Sequence, residues 1–256
     1  MFTVENLFAS YNGKKLFSDV SFSLEKNSVT ALCGLNGSGK STLLSLMSGI
    51  VPPSLKISGK IQLDKENVLA QKPKITAKKI SYLVQGEHPA WNISVEDMVD
   101  GGRFVHRRWY EESSASDKRI IDEAMNLLSI SELRHRRIST LSGGEYQRTR
   151  IARSFAQQTD YIFLDEPLSS LDVIYQTNIL EILNVLAAKG KTIFISVHDI
   201  NLASQFCKQM ILMKRDRSGI IAGRTDDIIN EDFLMQAYGK KFKIFTHPIT
   251  GKKQIW

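Results

Sequence analysis

The nine residues 34–42, GLNGSGKST, constrain the fold of this chain more than any other feature. They match the pattern G-x-x-x-x-G-K-[ST] at every defined position. The preceding Val29–Cys33 has the apolar character of a buried strand, and residues 41–48 have the pattern of a helix. The order of strand, glycine-rich loop and helix predicts a loop that binds phosphate. It disfavours the alternative that a glycine-rich turn precedes Lys-Ser by chance.

The composition of the loop suits an anionic ligand. Converging N–H donors can approach phosphate only where side chains are absent, and Gly34, Gly37 and Gly39 allow this approach. We expect Lys40 to bind the β- and γ-phosphates of ATP and the Ser41 hydroxyl to ligate Mg²⁺. The predicted nucleotide-binding residues of the loop are Gly34, Asn36, Gly37, Ser38, Gly39, Lys40, Ser41 and Thr42.

Two carboxylates follow a second apolar run, Tyr161–Leu164. We expect this run to be a buried strand that brings Asp165 to Mg²⁺ through water and lets Glu166 orient or deprotonate the attacking water. The alternative is an acidic strand end that caps a turn at Pro167. A phosphate-binding loop in the same chain favours the catalytic interpretation.

The remaining pattern predicts an α/β fold. Apolar and polar residues alternate over residues 20–24, which indicates N-terminal strands, and later strands alternate with helices. Such alternation is typical of a parallel sheet covered by helices. Helices are expected near residues 95–101, 117–128, 143–157 and 173–188, and further strands near residues 59–63, 80–84 and 192–197.

The same pattern predicts the domain organisation. We expect residues 1–225 to form one domain, with a helical insertion at about residues 86–158 in its core. Residues 226–256 are expected to pack on this domain as a short C-terminal segment.

Composition places the chain among ordinary globular proteins, with 42% hydrophobic and 24% charged residues among 256. Cys33 and Cys207 disfavour a disulfide framework and fit a reducing compartment. The N-terminal MFTVENLF lacks the pattern of a signal peptide, and no run approaches the roughly 18 apolar residues of a membrane span.

The net charge of +7 needs a separate explanation. Basic residues cluster modestly at residues 103–108 and 134–137, outside any recognisable nucleic-acid module, so we expect no nucleic-acid partner. A solvated basic surface is the favoured interpretation, and contact with lipid headgroups or an anionic partner is the alternative.

The run LSGGE at residues 141–145 resembles the signature motif of ATP-binding cassette (ABC) ATPases. Taken alone, it is a helix N-terminus whose N–H groups and hydroxyl suit an anion. The resemblance implies that Ser142, Gly143, Gly144 and Glu145 contact the γ-phosphate of an ATP held by a second copy of the chain. Two ATP molecules would then lie in a head-to-tail dimer. Many family members have glutamine where this chain has Glu145.

Four other residues occupy positions that have a function in this family. Tyr11 resembles the aromatic residue that stacks on adenine, and Gln85 resembles the Q-loop glutamine that contacts Mg²⁺ or water. Asp172, in Ser-Ser-Leu-Asp, resembles the D-loop aspartate at the dimer interface, and it also suits a helix N-cap. His198 resembles the switch histidine near the γ-phosphate. The resemblance covers residues 2–225 and implies a RecA-like P-loop NTPase core of the ABC type.

Two stretches resemble one group within the family, the importers of iron–siderophore, haem and cobalamin. SVHDINLA at residues 196–203 resembles the H-D-L-N-x-A run of that group, and SVEDMVDGGR at residues 94–103 resembles T-V-x-E-L-V-x-x-G-R. The residues from Tyr238 to Gly251 resemble its terminal segment. The resemblance implies an iron chelate as cargo, with iron–siderophore favoured over haem and cobalamin.

This group also implies partners and a location. Two copies would lie on the cytoplasmic face of the membrane beneath two permease subunits, and an external substrate-binding protein would deliver the chelate. A short permease helix would dock near residues 85–108, where Trp91, Phe104 and Trp109 either line a groove or belong to the core.

Three other functions remain open at this level. A cassette that acts on ribosomes or in DNA repair would usually carry a second cassette or a long coiled-coil insertion, and this chain has neither. An accessory ATPase for iron–sulfur cluster assembly is also a single cassette. An exporter subunit is a weaker alternative.

Overall fold

The computed structural model describes residues 1–87, 91–108 and 110–256. Trp109 therefore lies outside the described residues. The N-terminal part forms a four-stranded antiparallel sheet with strand order β2-β1-β4-β5, in which β1 pairs with both β2 and β4. The strands of this sheet are β1 (Phe2–Tyr11), β2 (Lys14–Ser23), β4 (Leu55–Leu63) and β5 (Glu66–Asn67).

A second sheet has six strands in the order β10-β9-β3-β8-β7-β6. Five of them run parallel and only β10 is antiparallel to its neighbour, β9. β3, β7 and β8 are buried along their whole length, which explains their continuous apolar sequences. The strands are β3 (Val29–Cys33), β6 (Ile80–Leu83), β7 (Tyr161–Leu164), β8 (Thr192–Ser196), β9 (Gln209–Met213) and β10 (Ile220–Arg224).

Helices connect the parallel strands, as the sequence pattern predicts. The expected helices near residues 95–101, 117–128, 143–157 and 173–188 are present, with boundaries that differ by at most two residues. The α/β fold with N-terminal antiparallel strands is confirmed. The helices are α1 (Lys40–Met47), α2 (Pro73–Lys79), α3 (Val95–Asp100), α4 (Ala115–Leu127), α5 (Gly143–Ala156), α6 (Val173–Ala188), α7 (Ile200–Phe206), α8 (Thr225–Ile228) and α9 (Glu231–Tyr238).

Capping boxes begin α3, α4 and α5, the α-helices that the structure describes between β6 and β7. In each, a serine side chain accepts from the backbone N–H three residues later, and the acidic residue there accepts from the serine N–H. These reciprocal bonds satisfy N–H groups that have no partner within the helix, and they explain the sharp helix starts. The capping pairs are Ser94–Asp97, Ser114–Asp117 and Ser142–Glu145.

Ion pairs account for much of the positive charge in this helical region. Arg103 donates to Asp117 at 2.8 Å and Arg107 donates to Asp100 at 2.7 Å, and both arginines are buried. Burial alone would raise the pKa of Asp117, but hydrogen bonds from Arg103 and Ser114 lower it to about 2. The prediction of a solvated basic surface is therefore wrong for Arg103 and Arg107, because each is buried against an acidic partner.

The C-terminal residues form α9 and a short hairpin, β11 (Ile244–Thr246) with β12 (Lys253–Ile255). The Asn201 side chain of α7 exchanges hydrogen bonds with the backbone of Ile255, at 3.1 and 2.8 Å. These bonds attach the hairpin to the helix that follows β8. No helix among the described residues is both long and apolar enough to cross a lipid bilayer.

Candidate functional site

The carboxyl ends of β3, β8, β7 and β6 lie side by side and open onto one cleft of about 360 Å³. Loops at this edge of a parallel sheet are the usual place for ligands, because the strands deliver their following residues to one point. The cleft thus unites four segments that are far apart in sequence. Its lining residues are Leu16, Asn36, Gly37, Gly39, Lys40, Ser41, Thr42, Gln85, Glu166 and His198.

The loop between β3 and α1 has backbone geometry that requires glycine. Gly39 is the N-cap of α1 with φ of 100°, and a Cβ there would lie 2.9 Å from Phe17. A Cβ on Gly34, where φ is 149°, would lie 2.9 Å from the Cβ of Met213. No side chain of residues 1–87, 91–108 or 110–256 caps α1, so its first N–H groups remain available to an anion. This geometry fits the phosphates of a nucleotide.

The side chain of Lys40 bonds back to the start of its own loop. Its Nζ donates to the carbonyl oxygens of Gly34, at 2.9 Å, and Leu35, at 3.1 Å, and the side chain is buried. Burial lowers the pKa of Lys40, while the carboxylates of Glu166 and Asp165 raise it. The ammonium thus lies at the base of the cleft, where the loop carbonyls hold it in place.

Replacing Lys40 by methionine should weaken ATP binding by at least about tenfold, because the cleft then loses its buried cation. Methionine is flexible and apolar, so it should fill the space of the buried lysine side chain. Isothermal titration calorimetry with ATP measures this change. Unchanged affinity in a folded Lys40→Met chain would contradict the assigned role.

Asp165 presents an unpaired oxygen at the end of β7. Its Oδ1 accepts from the Ser196 hydroxyl at 2.7 Å, and its buried Oδ2 has no hydrogen-bond partner within the described part of the chain. A buried carboxylate oxygen without a donor is costly unless a ligand satisfies it. Ser41 lines the cleft, and Asp165 directly precedes Glu166, which also lines it. Both offer the oxygen ligands that Mg²⁺ prefers, so they fit the expected metal.

Glu166 is the residue on which the other candidate groups converge. The Gln85 amide donates to its Oε2 at 2.6 Å, and Nε2 of His198 lies 2.6 Å from its Oε1. Glu166 also has φ of 48°, a left-handed conformation that costs about 1–3 kcal/mol outside glycine. The structure therefore unites Gln85, Glu166 and His198 beside the phosphate loop, as required for a site that handles a phosphoryl group and water.

Other predicted site residues lie outside the described lining of this cleft. Ser142 and Glu145 form the capping box of α5, and Asp172 caps α6 by accepting from Tyr175 at 3.1 Å. Tyr11 is about half exposed at the end of β1. The predicted contacts of Tyr11, Ser142–Glu145 and Asp172 with nucleotide remain predictions.

Sequence reasoning missed Ser196 and Gln147. Ser196 bridges the two acidic residues, since its Oγ donates to Asp165 and accepts from the N–H of Glu166 at 2.7 Å. Gln147 donates to the Pro167 carbonyl at 2.9 Å and so supports the same turn. The only sequence signal for Ser196 is a small polar residue at the end of an apolar strand.

Trp91 and Phe104 are exposed, at 80% and 64% of their surface. The alternative that they are core residues is therefore wrong for both. Trp109 lies outside the described residues.

Fold and site together define an ATP-binding P-loop protein in which a glutamate and a histidine face the phosphate loop. The sequence profile of the family described as ABC transporter matches residues 17–169, more than half of the chain. This protein belongs to the ABC transporter family, as its ATP-binding cassette, and it is an ATPase of that class.

Similar proteins extend this relation over nearly the whole chain. The petrobactin import ATP-binding protein YclP of Bacillus subtilis is 35% identical over 247 residues, which cover 96% of each chain. The iron(3+)-hydroxamate import ATP-binding protein FhuC of the same organism is 33% identical and covers 98% of this chain and 92% of its own length. A solved structure of a metal-chelate type ABC transporter in an inward-facing conformation has a TM-score of 0.83 at 27% identity, and covers 100% of this chain and 96% of that one.

Proposed function

We propose that this protein is the ATP-hydrolysing subunit of a bacterial importer that takes up an iron chelate, with an iron(III)–siderophore as the favoured cargo. The observation that carries the proposal is the near full-length similarity to YclP and FhuC, whose names specify petrobactin and iron(3+)-hydroxamate import. Family membership alone would leave the direction of transport and the cargo open. The run SVHDINLA at residues 196–203 supports the same group.

Hydrolysis is assigned to the groups around Glu166. Its carboxylate accepts a proton from the attacking water or orients it, and His198 and Gln85 hold the carboxylate at 2.6 Å. Lys40 and the α1 N-terminus stabilise the charge on the transferred phosphoryl group. Ser41, Gln85 and Asp165 would bind Mg²⁺, which would neutralise part of the phosphate charge.

The cleft of one chain is an incomplete site on this proposal. It exposes the phosphate loop to solvent on one side, and the N-terminus of α5 does not line it among the described residues. A second copy in head-to-tail orientation would complete it with Ser142–Glu145, while Asp172 would lie at the interface and Tyr11 would stack on adenine. ATP binding then closes the dimer, and hydrolysis reopens it.

We also propose the location and the permease contact. The cassette lies on the cytoplasmic face of the membrane, where residues 86–158 act as a helical subdomain and an external binding protein delivers cargo to the permease. Exposed Phe104 lines a cavity of about 470 Å³ beside Pro73 and Ala77, and charged side chains also line it, which suits a short amphipathic helix. Residues 226–256 belong to the same domain, as their contacts with α7 suggest.

The test is reconstitution of the cassette with its permease and binding protein in vesicles, followed by uptake of radiolabelled iron(III) chelates, haem and cobalamin. We expect ATP-dependent uptake of an iron(III)–siderophore, and none with the Lys40→Met cassette. ATP-dependent uptake of none of these cargoes would contradict the cargo assignment and leave the ATPase assignment intact. Purification with iron–sulfur assembly proteins, and without a polytopic membrane protein, would contradict import.

A further inference from the structure

Three residues on one face of α5 contact the segment that carries Gln85. Tyr146, Arg150 and Arg153 are spaced four and three residues apart, so they lie on one face of the helix. All three contact residues 84–87, which follow β6 and include Gln85. The helix that begins at the signature motif therefore forms hydrogen bonds to residues before and after Gln85, namely Val84 and Glu87.

Arg150 contacts the part of this segment that precedes Gln85. Its side chain is 5% exposed, and it donates to the carbonyl of Val84, the residue immediately before Gln85. Its second amino group donates to Oε1 of Gln147 at 2.7 Å. Gln147 in turn donates to the carbonyl of Pro167, the residue after Glu166. Arg150 thus connects, directly and through one amide, the backbones next to Gln85 and Glu166.

Arg153 and Tyr146 contact Glu87, which follows Gln85 in this segment. Arg153 forms two hydrogen bonds to the Glu87 carboxylate, at 2.8 and 2.5 Å, and the Tyr146 hydroxyl donates to the Glu87 carbonyl at 2.8 Å. Bidentate pairs of this kind fix orientation as well as distance. The hydrogen bond from Arg153 lowers the pKa of Glu87 against the opposing effect of burial. The segment therefore has fixed points before and after Gln85.

Arg150 is a buried cation that is only partly paired, although its guanidinium also lies 5.9 Å from the centre of the Tyr146 ring. Among the described residues, its Nε has no hydrogen-bond partner, and its nearest carboxylate, that of Glu87, lies 3.9 Å away and is already paired with Arg153. Burying a cation with incomplete pairing costs free energy, and an apolar side chain of similar volume is often neutral or stabilising at such a site. A role in placing the two neighbouring loops accounts for the buried charge.

We propose that Arg150 is a positioning residue that ties Gln85 to the signature helix, so that Gln85 meets Glu166 only when α5 is seated against the core. The proposal rests on the proposed function, since it assumes that α5 also presents Ser142–Glu145 to the other copy. Movement of α5 would then close the dimer on ATP and place Gln85 beside Glu166 at the same time. Arg150 acts through Gln85 and does not touch the nucleotide itself.

The test compares Arg150→Met with Arg103→Met. Both arginines are buried, and Arg103 also bonds to α5 by donating to the carbonyl of its last residue, Ala156, at 2.8 Å. Of the two, only Arg150 contacts the Gln85 segment. We expect kcat for ATP hydrolysis to fall about tenfold in Arg150→Met, with KM within about twofold of the parent. Arg150→Lys should recover part of the loss, since lysine can still donate to the Val84 carbonyl. Arg103→Met should retain the parent kcat.

Parent-like kcat in folded Arg150→Met would overturn the inference, and so would an equal loss of kcat in folded Arg103→Met. Thermal unfolding of each variant establishes that it is folded. In the Glu166→Gln background, Arg150→Met should still dimerise with ATP, because Ser142–Glu145 remain intact; loss of that dimer would also overturn the inference. Failure of Glu166→Gln alone to dimerise would instead contradict the proposed function.

Discussion

Replacing Glu166 by glutamine should reduce ATP hydrolysis by at least about a hundredfold while ATP affinity stays near that of the parent chain. The amide cannot accept a proton from water, yet it has the shape of the carboxylate and retains an oxygen acceptor for Gln85. Binding should persist because Lys40 and the loop glycines are unchanged. Single-turnover hydrolysis and equilibrium ATP binding measure the two effects separately.

The matched control is Glu181→Gln, which makes the same chemical change on the exposed face of α6. It should hydrolyse ATP at the parent rate. If Glu166→Gln also hydrolysed at the parent rate, the assignment of Glu166 as the base would be wrong. A parallel loss of ATP affinity would show that the residue holds substrate and does not act mainly on water.

Replacing Gly143 by aspartate should abolish ATP-dependent association and reduce hydrolysis to the level of an isolated chain. Gly143 is exposed at the first position of α5, and a Cβ there would lie 3.7 Å from its nearest neighbour, Ser170, so the side chain has room. An acidic residue in the first turn stabilises a helix, and glycine there weakens it. The variant should therefore fold at least as well as the parent, while its carboxylate repels the γ-phosphate of the other copy.

Gly143→Ala separates charge from bulk in this experiment. It adds only the methyl group, so we expect a smaller loss of hydrolysis than in Gly143→Asp, with similar thermal stability. ATP affinity of the single chain should be unchanged in both, because the phosphate loop is in a different part of the molecule. Full association of Gly143→Asp with ATP would contradict the placement of this helix terminus at the partner's phosphate.

The phosphate loop and the acidic strand end could be predicted because each is a local pattern. Residues 34–42 carry their own backbone requirements, as the positive φ of Gly39 shows, and β3 and α1 flank them within a few residues. The capped starts of α3, α4 and α5 are similarly local, since each depends on two side chains three residues apart.

The rest of the site depends on contacts between distant segments. The same holds outside the site for Arg103 and Asp117, which look like ordinary surface charges in the sequence and form a buried pair only in the folded chain. Ser196 and Arg150 likewise acquire their roles from strand order and from the seating of α5. Periodicity reports which face of an element is apolar, and it does not report which polar group meets which across the fold.

The C-terminal hairpin was missed for another reason. Strands β11 and β12 have three residues each, too short for a period-two pattern to stand out. Their stability comes from tertiary bonds such as those between Asn201 and Ile255, which local propensity does not predict.

The central claim is that one ATP site is built from two copies of this chain, and light scattering tests it most directly. In saturating ATP, Glu166→Gln should have about twice the 28.9 kDa mass of one chain, and without nucleotide it should be monomeric. Adding Gly143→Asp should return it to a monomer that still binds ATP. A Glu166→Gln chain that stays monomeric in saturating ATP, or a double variant that still dimerises, would contradict the account.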